Sequence, residues 1–217
     1  VALEQKLIEA QAINKLPKVV VPVHFAGQSC DMKRIYQLSQ QYGFKIIEDA
    51  SHAIGGKYLG LPIGGCQYSD ITVFSFHPVK IITTAEGGMA LTNQAELADK
   101  MQLLRSHGVT RNSDVMTQND GGWYYEQIEL GFNYRMTELQ AALGISQMNR
   151  LDDFVATRHT LQQRYDELLE GSHIVMPYQS IDSYSALHLY PIQLELDKIN
   201  KSQAEVFDEL RKSDIGV

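Results

Sequence analysis

Short apolar runs along the chain predict the strands of a buried sheet. They cover residues 19–23, 44–48, 71–76 and 89–92, and a helical pattern of apolar positions separates the first two. The runs are rich in β-branched and aromatic residues, as buried strands are. Pro22 has no N–H to give to a sheet, so we place it near the end of its strand. A helix between two buried strands is typical of a right-handed βαβ crossover, which predicts an α/β fold with a mostly parallel sheet and flanking helices.

Helical spacing of apolar residues is clearest between Asp31 and Gly43. Asp31 is a good N-cap, Gly43 is a good stop, and the segment between them predicts a helix over residues 32–42. Further helices are predicted at residues 3–10, after Asn93, from Met136 onward, over 152–169 and after Ser202. Capping boxes are predicted for Asn93 with Glu96 and Ser202 with Glu205, and burial is expected for Met136, Leu139, Leu143 and Met148.

Three stretches have no such regular pattern. The glycine-rich segment 55–65 lacks the lysine and the following helix of a phosphate-binding loop, so a turn or short hairpin is favoured. Residues 106–131 predict a long irregular segment near an active-site mouth or a subunit contact. Residues 188–194 are a strand candidate.

Candidate chemistry follows two of the predicted strands. Lys80 comes after the strand at 71–76, where its neighbours Val79 and Ile81 would partly desolvate the amine and lower its pKa. Asp49 ends the strand before it. Ligands of α/β sheets bind beyond the carboxyl ends of strands, so these two groups could face one crevice. Pyridoxal phosphate needs such a pair: an amine for the Schiff base and a carboxylate that keeps the pyridine nitrogen protonated.

Three motifs together resemble the DegT/DnrJ/EryC1/StrS sugar aminotransferases, a family of fold-type I pyridoxal phosphate enzymes. They are Lys-Ile-Ile-Glu-Asp-Ala-Ser-His-Ala at 45–53, Phe-Ser-Phe-His-Pro-Val-Lys at 74–80, and Leu-Gly-Phe-Asn-Tyr-Arg-Met-Thr-Glu-Leu-Gln-Ala-Ala at 130–142. The second motif is most similar to enzymes that aminate a UDP-linked 4-keto-6-deoxy-N-acetylhexosamine. The family usually has glycine where this chain has Ala85.

The resemblance implies a role for each of five residues. Lys80 would bind pyridoxal phosphate covalently and move a proton during catalysis, and Asp49 would pair with the pyridinium. His52 would contact the cofactor ring or its phenolic oxygen, and Ser75 would bind its phosphate. Asn133 would reach the phosphate of the neighbouring subunit's cofactor, so the resemblance implies a homodimer with shared active sites. Glu48 lies next to Asp49 but on the other strand face, which predicts a structural role.

Composition narrows the class of protein without choosing a reaction. The chain has 217 residues, of which 44% are hydrophobic and 21% charged, as in an ordinary globular protein. A net charge of -7 argues against nucleic acid as a partner. No apolar run approaches the roughly 20 residues that span a bilayer, and the two cysteines form no disulfide framework or metal cluster. We therefore expect no membrane partner and a cytoplasmic location.

Family members are typically much longer, so the resemblance also predicts an internal fragment. Residues 1–150 would be the later part of an aspartate-aminotransferase-like large domain. Residues 151–217 would be the linking helix and the start of a truncated, small α+β domain.

The function that the resemblance implies is transamination. An amino acid, glutamate by the same resemblance, would give its amino group to a keto group, at C4, of a nucleotide-linked deoxysugar for surface polysaccharide or flagellar glycans. The alternatives are a non-catalytic pyridoxal-phosphate-binding or interaction fragment, and a nucleotide-binding module that uses residues 55–65. A sugar dehydratase of this fold would have histidine in place of Lys80, which argues against that activity.

Overall fold

The computed structural model describes residues 2–216. Its main sheet consists, in spatial order, of β1 (Val19–Val20), β2 (Lys45–Asp49), β5 (Ile71–Ser75) and β6 (Gly88–Leu91). Strands β1, β2 and β5 are parallel, and β6 is antiparallel to β5. All four strands predicted from apolar runs form this sheet. The helices are α1 (Ala2–Ala12), α2 (Met32–Tyr42), α3 (Ala95–Arg105), α4 (Glu138–Met148), α5 (Leu151–Leu169) and α6 (Gln203–Lys212). The strands are β1 (Val19–Val20), β2 (Lys45–Asp49), β3 (Lys57–Tyr58), β4 (Leu61–Pro62), β5 (Ile71–Ser75), β6 (Gly88–Leu91), β7 (Val109–Thr110), β8 (Glu126–Gln127), β9 (Ile174–Val175), β10 (Ser183–Tyr184) and β11 (Gln193–Leu194).

Helix α2 makes the predicted crossover between β1 and β2. The Asp31 side chain accepts a hydrogen bond from the Arg34 N–H at 3.1 Å and so caps its first turn. Gly43 takes a left-handed conformation (φ +78°) and donates its N–H to the Ser39 carbonyl at 2.8 Å. Both ends are therefore fixed by residues adjacent in sequence, and the observed bounds equal the predicted ones.

Two clusters of buried side chains stabilise the sheet. One joins α1, α2 and β2 and contains Leu7, Met32, Leu38, Phe44, Ile46 and Tyr58. The other joins β5, the segment after it, and the start of α5, and contains Ala50, Ala53, Phe74, Phe76, Ile81, Ile82, Leu151, Val155 and Ala186. Each large apolar side chain buried in this way contributes about 1.5–3 kcal/mol. The second cluster brings residues from beyond position 150 into the packing around β5.

A buried polar network surrounds Glu48. The Glu48 carboxylate accepts hydrogen bonds from His24 Nε2 at 2.8 Å, from Thr72 Oγ1 at 3.0 Å and from Ser69 Oγ. The Cys30 N–H donates to His24 Nδ1 at 3.2 Å, which leaves Nε2 as the nitrogen that carries the proton toward Glu48. A buried carboxylate is stable only when donors replace its water, and here three do. The structural role predicted for Glu48 is confirmed.

The loop that carries Lys80 is fixed at its base. The Phe76 N–H donates to Gly87 O at 2.9 Å, and the Phe76 carbonyl accepts from the Thr84 N–H at 3.0 Å. Ile82 is fully buried, and the Lys80 N–H closes a turn onto the His77 carbonyl at 2.9 Å. A side chain at Gly87 would collide with Thr84 Oγ1, so this close approach requires glycine.

Two local expectations are wrong. Helix α3 begins at Ala95, and Gln94, its N-cap, makes no side-chain cap. The Asn93 side chain, which was expected to cap the helix, instead donates its amide N–H to the Gly65 carbonyl at 2.9 Å. This tertiary hydrogen bond replaces the local cap. Helix α4 buries none of its residues, and Leu139 is 85% exposed, although its apolar spacing predicted burial. Spacing identifies an apolar face but not what covers it.

The remaining irregular segments contain short hairpins. Strands β3 and β4 pair antiparallel within residues 55–65, as predicted, and β10 also pairs with β3. Residues 106–131 contain the pair β7–β8. Of the candidate strand at 188–194, Gln193–Leu194 alone is extended, and it pairs with β9. The capping box of Ser202 and Glu205 is present, and α4 has one that was not predicted, formed by Thr137 and Gln140.

Across residues 2–216, every helix is too short or too polar to cross a membrane.

Replacement of Glu48 by glutamine is expected to destabilise the fold by about 1–3 kcal/mol, because a charge-assisted buried network loses its acceptor charge. Urea denaturation at neutral pH measures the change. Glu167→Gln on the exposed side of α5 is the control and should leave stability within about 0.5 kcal/mol.

The pH dependence of the same pair tests the cause. Burial by itself raises the pKa of Glu48, but the hydrogen bonds from His24, Ser69 and Thr72 outweigh it and hold the pKa below 4.5. The stabilisation is therefore present above that pH and lost as pH falls through the lowered pKa. The stability difference between the natural protein and Glu48→Gln should shrink in acid, and a difference independent of pH would contradict the network.

Replacement of Ala85 by glycine is expected to stabilise the protein by about 0.5–1 kcal/mol. Ala85 has φ +65°, a left-handed conformation that glycine adopts without the clash of a Cβ atom. The same substitution at Ala142, inside α4, should destabilise by a similar amount because the helix is the better state for alanine. Thermal and urea unfolding of both variants measures this, and a loss of stability in Ala85→Gly would refute the strain.

Candidate active site

The candidate site lies where β2 and β5 end. Asp49 is opposite Val73 in the parallel pair, and Ser75 is two residues farther along on the same face. Both side chains are therefore on the face opposite to Glu48. Lys80 follows on the loop whose base is fixed at Phe76. The crevice predicted from the carboxyl ends of these strands thus brings Asp49, Ser75 and Lys80 to one edge of the sheet.

Asp49 is ionised in this site. Partial burial would by itself raise the pKa of its carboxyl group. The Ser51 N–H, which donates to Oδ1 at 3.1 Å, and the positive charge of Lys80 outweigh that effect and hold the pKa below its usual value. Asp49 is therefore a carboxylate that is stabilised without a direct ion pair among the described residues.

Lys80 is half-buried, but Val79 does not shield it. The Val79 side chain is 65% exposed, so the predicted desolvation from that side is wrong, whereas Ile81 on the other side is buried. Within residues 2–216, the Lys80 amine has no hydrogen bond or ion pair. Its positive charge nevertheless lowers the pKa of Asp49, of His52 and of His188.

His52 lies in the loop after β2, next to the other three groups. Burial and the Lys80 charge lower its pKa, against the opposing effect of Asp49, so its ring is neutral at neutral pH. Its Nδ1 is buried and finds no hydrogen-bond partner within the described part of the chain. An unsatisfied buried nitrogen is costly, so this atom has capacity for a hydrogen-bond partner outside the described residues.

His188 joins this group although sequence reasoning placed it in a strand. Its ring centroid is 4.5 Å from that of His52. Burial, with the charges of Lys80 and Arg158, lowers the pKa of His188 to about 4. Its Nδ1 is the second buried nitrogen without a partner in residues 2–216. No local pattern around residue 188 signals this position, because the contact depends on where the chain returns after α5.

Asn133 is not part of this cluster in one chain. It is exposed and forms an isolated bridge with Ser106 near the end of α3. No hydrogen bond among the described residues connects it with Asp49, Ser75 or Lys80. The structure therefore brings together four of the five residues predicted for the site and leaves the fifth at the surface.

The residues present fit pyridoxal phosphate. The cofactor needs an amine, an anion for its ring nitrogen and donors for its phosphate, and Lys80, Asp49 and Ser75 offer these groups on one sheet edge. The unpartnered Nδ1 atoms of His52 and His188 add unused polar capacity beside them. A structural ion pair would instead bring Asp49 and Lys80 into direct contact, which the described structure does not show.

Several solved structures that are similar to this chain are aminotransferases. The Helicobacter pylori aminotransferase PseC, involved in the biosynthesis of pseudaminic acid, superimposes with a TM-score of 0.83 and 31% identity over 96% of this chain and 53% of its own. An aminotransferase from Psychrobacter cryohalolentis gives 0.81 and 31% identity over 94% and 55%. Streptococcus pneumoniae Spr1654, at 0.78 and 30% identity over 95% and 55%, has been solved in a form with pyridoxal phosphate. The predicted aspartate-aminotransferase-like fold is confirmed.

Curated relatives point the same way. The chain is 36% identical to a UDP-4-amino-4,6-dideoxy-N-acetyl-beta-L-altrosamine transaminase of Campylobacter jejuni, over 99% of this chain and 55% of the relative. It is 38% identical to the Bacillus subtilis spore coat polysaccharide biosynthesis protein SpsC, over 92% and 51%. The chain spans about half the length of the curated relatives it matches.

A sequence model of one family covers residues 1–217. The three motifs at 45–53, 74–80 and 130–142, the site at the ends of β2 and β5 and these relatives all agree. The chain belongs to the DegT/DnrJ/EryC1/StrS aminotransferase family.

Proposed function

We propose that this chain forms the catalytic part of a pyridoxal-phosphate-dependent nucleotide-sugar aminotransferase. The observation that carries the proposal is the placement of Asp49 and Ser75 at the ends of paired parallel strands, beside the free amine of Lys80. Pyridoxal phosphate supplies the electron sink that lets an amino group move between an amino acid and a keto compound. The protein residues bind it, orient it and move protons.

Each site residue has a distinct task in this proposal. Lys80 would hold the cofactor covalently, and its amine would carry a proton during transamination. Asp49 stays ionised and holds a proton on the pyridine nitrogen. Ser75 donates its hydroxyl to the phosphate, and His52 packs on the cofactor ring as a neutral imidazole.

Substrate and donor are proposed from the family. The relatives that act on UDP-linked and GDP-linked amino sugars support a nucleotide-linked deoxysugar as acceptor. We place the amination at C4 on the resemblance of the motif at 74–80, and we take glutamate as donor from the family resemblance. A panel of keto-sugar nucleotides tests the position, and a preference for a 3-keto sugar would overturn it.

A homodimer completes the site. Among the described residues, no hydrogen bond joins Asn133 to the Lys80 cluster of its own chain, and apolar side chains near it in sequence are exposed, including Phe132, Tyr134 and Leu139. Contiguous exposed apolar surface indicates a protein interface. Asn133 then reaches the phosphate held by the second protomer.

We further propose that the chain divides into two parts. Residues 1–150 belong to the large domain, and residues 151–217 form the linking helix and the start of the small domain. We also propose that the protein is cytoplasmic.

Absorbance spectroscopy tests the proposed function directly. Natural-length protein should show the visible band of lysine-bound cofactor, and glutamate should bleach it. Lys80→Ala should abolish the band and lower the transamination rate by about 10²–10⁴-fold, because both the covalent link and the proton carrier are lost. Lys33→Ala, on the exposed side of α2, is the matched control. A glutamate-sensitive band that survives in Lys80→Ala would refute the role of Lys80.

Mixing two inactive variants tests the shared site. Lys80→Ala and Asn133→Ala should each be inactive alone, but a heterodimer has one site with both residues intact. Random association makes half of the dimers mixed, so about one quarter of all sites should recover. Co-expression with two different tags isolates the heterodimer. A purified heterodimer without activity would contradict the contribution of Asn133 across the interface.

A further inference from the structure

We infer that His188 is a positioning residue of the Lys80 site, which holds the His52 ring in place by packing against it. The packing itself is a property of this chain, whereas its consequence for cofactor binding rests on the proposed function.

The ring contact is direct. The two imidazole centroids are 4.5 Å apart and the planes are inclined by 41°, which is within the range of favourable aromatic pairs. The Phe25 ring also approaches His52, at a centroid distance of 6.2 Å. Because His52 Nδ1 has no hydrogen-bond partner in residues 2–216, ring packing is what orients this side chain.

His188 can act as a support because its own backbone is clamped. The Arg158 guanidinium donates to the carbonyls of Leu187 and His188 at 3.0 and 3.2 Å. On the other side, the Ala186 N–H donates to Gly27 O at 3.0 Å. A Cβ atom at Gly27 would lie 2.9 Å from His188 N, so the two segments approach as closely as glycine allows.

The charges around the pair keep both rings neutral. Lys80 on the loop after β5 and Arg158 on α5 are positive, and Asp49 at the end of β2 is negative. Burial lowers the pKa of both imidazoles, and the positive groups lower that of His188 further. Two neutral rings pack without repulsion, and a neutral His188 adds no charge beside Lys80.

Two substitutions distinguish the effect of the His188 aromatic ring from the effect of its nitrogen atoms. His188→Phe keeps an aromatic ring against His52, and His188→Ala removes it. Imidazole NMR signals, recorded without cofactor, give the pKa of His52 in each variant. With alanine, water reaches His52 and its pKa should rise toward 6.5, whereas phenylalanine should keep it low. His173→Ala, at an exposed imidazole, is the control and should leave the His52 signal unchanged.

Cofactor binding provides the second readout. The dissociation constant of pyridoxal phosphate should rise about tenfold in His188→Ala and stay within about threefold of the natural protein in His188→Phe. Thermal unfolding confirms that each variant is folded. If the two variants behave alike in both measurements, ring packing is not the role of His188 and the inference is overturned. If the natural protein binds no cofactor but the His52 pKa follows the prediction, the packing stands and the proposed function fails.

Discussion

The parallel pairing of β2 with β5 fixes the positions of Glu48 and Asp49, the two acidic residues of the motif at 45–53. Glu48 is opposite Thr72 and Asp49 is opposite Val73. Successive side chains alternate between faces, so one carboxylate lies under the sheet and the other over it. A slip of one residue would exchange them and put Glu48 in the site without its donors. Burial alternates from residue to residue along both strands, and this alternation stabilises the observed register.

The two carboxylates differ in how their charge is satisfied, and this separates structure from chemistry. Glu48 is 5% exposed and uses its oxygens on His24, Ser69 and Thr72. Asp49 receives one backbone N–H and the field of nearby positive charges, and it retains capacity for a further partner. A saturated buried carboxylate stabilises a fold, whereas an ionised and incompletely paired one at a strand end can bind a ligand.

The site also depends on a segment late in the sequence, around Ala186, that folds back onto the core. After α5, the segment around Ala186 packs into the core that contains Phe74 and Val155. This docking is what brings His188 to the loop that follows β2. The region expected to begin a second domain thus contributes contacts to the crevice, so movement of that region would change the surroundings of His52 and Lys80.

Sequence alone determined the features that depend on near neighbours. The caps at Asp31 and Gly43 set α2, the apolar runs set the four main strands, and the motif order put Asp49, His52, Ser75 and Lys80 at one edge, because adjacent parallel strands end together. Tertiary structure alone decided the features that depend on distant partners. It assigned the Asn93 amide to Gly65, left the apolar face of α4 exposed and brought His188 against His52. Local hydrogen bonds depend on the spacing of residues along the sequence, whereas these contacts depend on which distant segments come together in the folded chain.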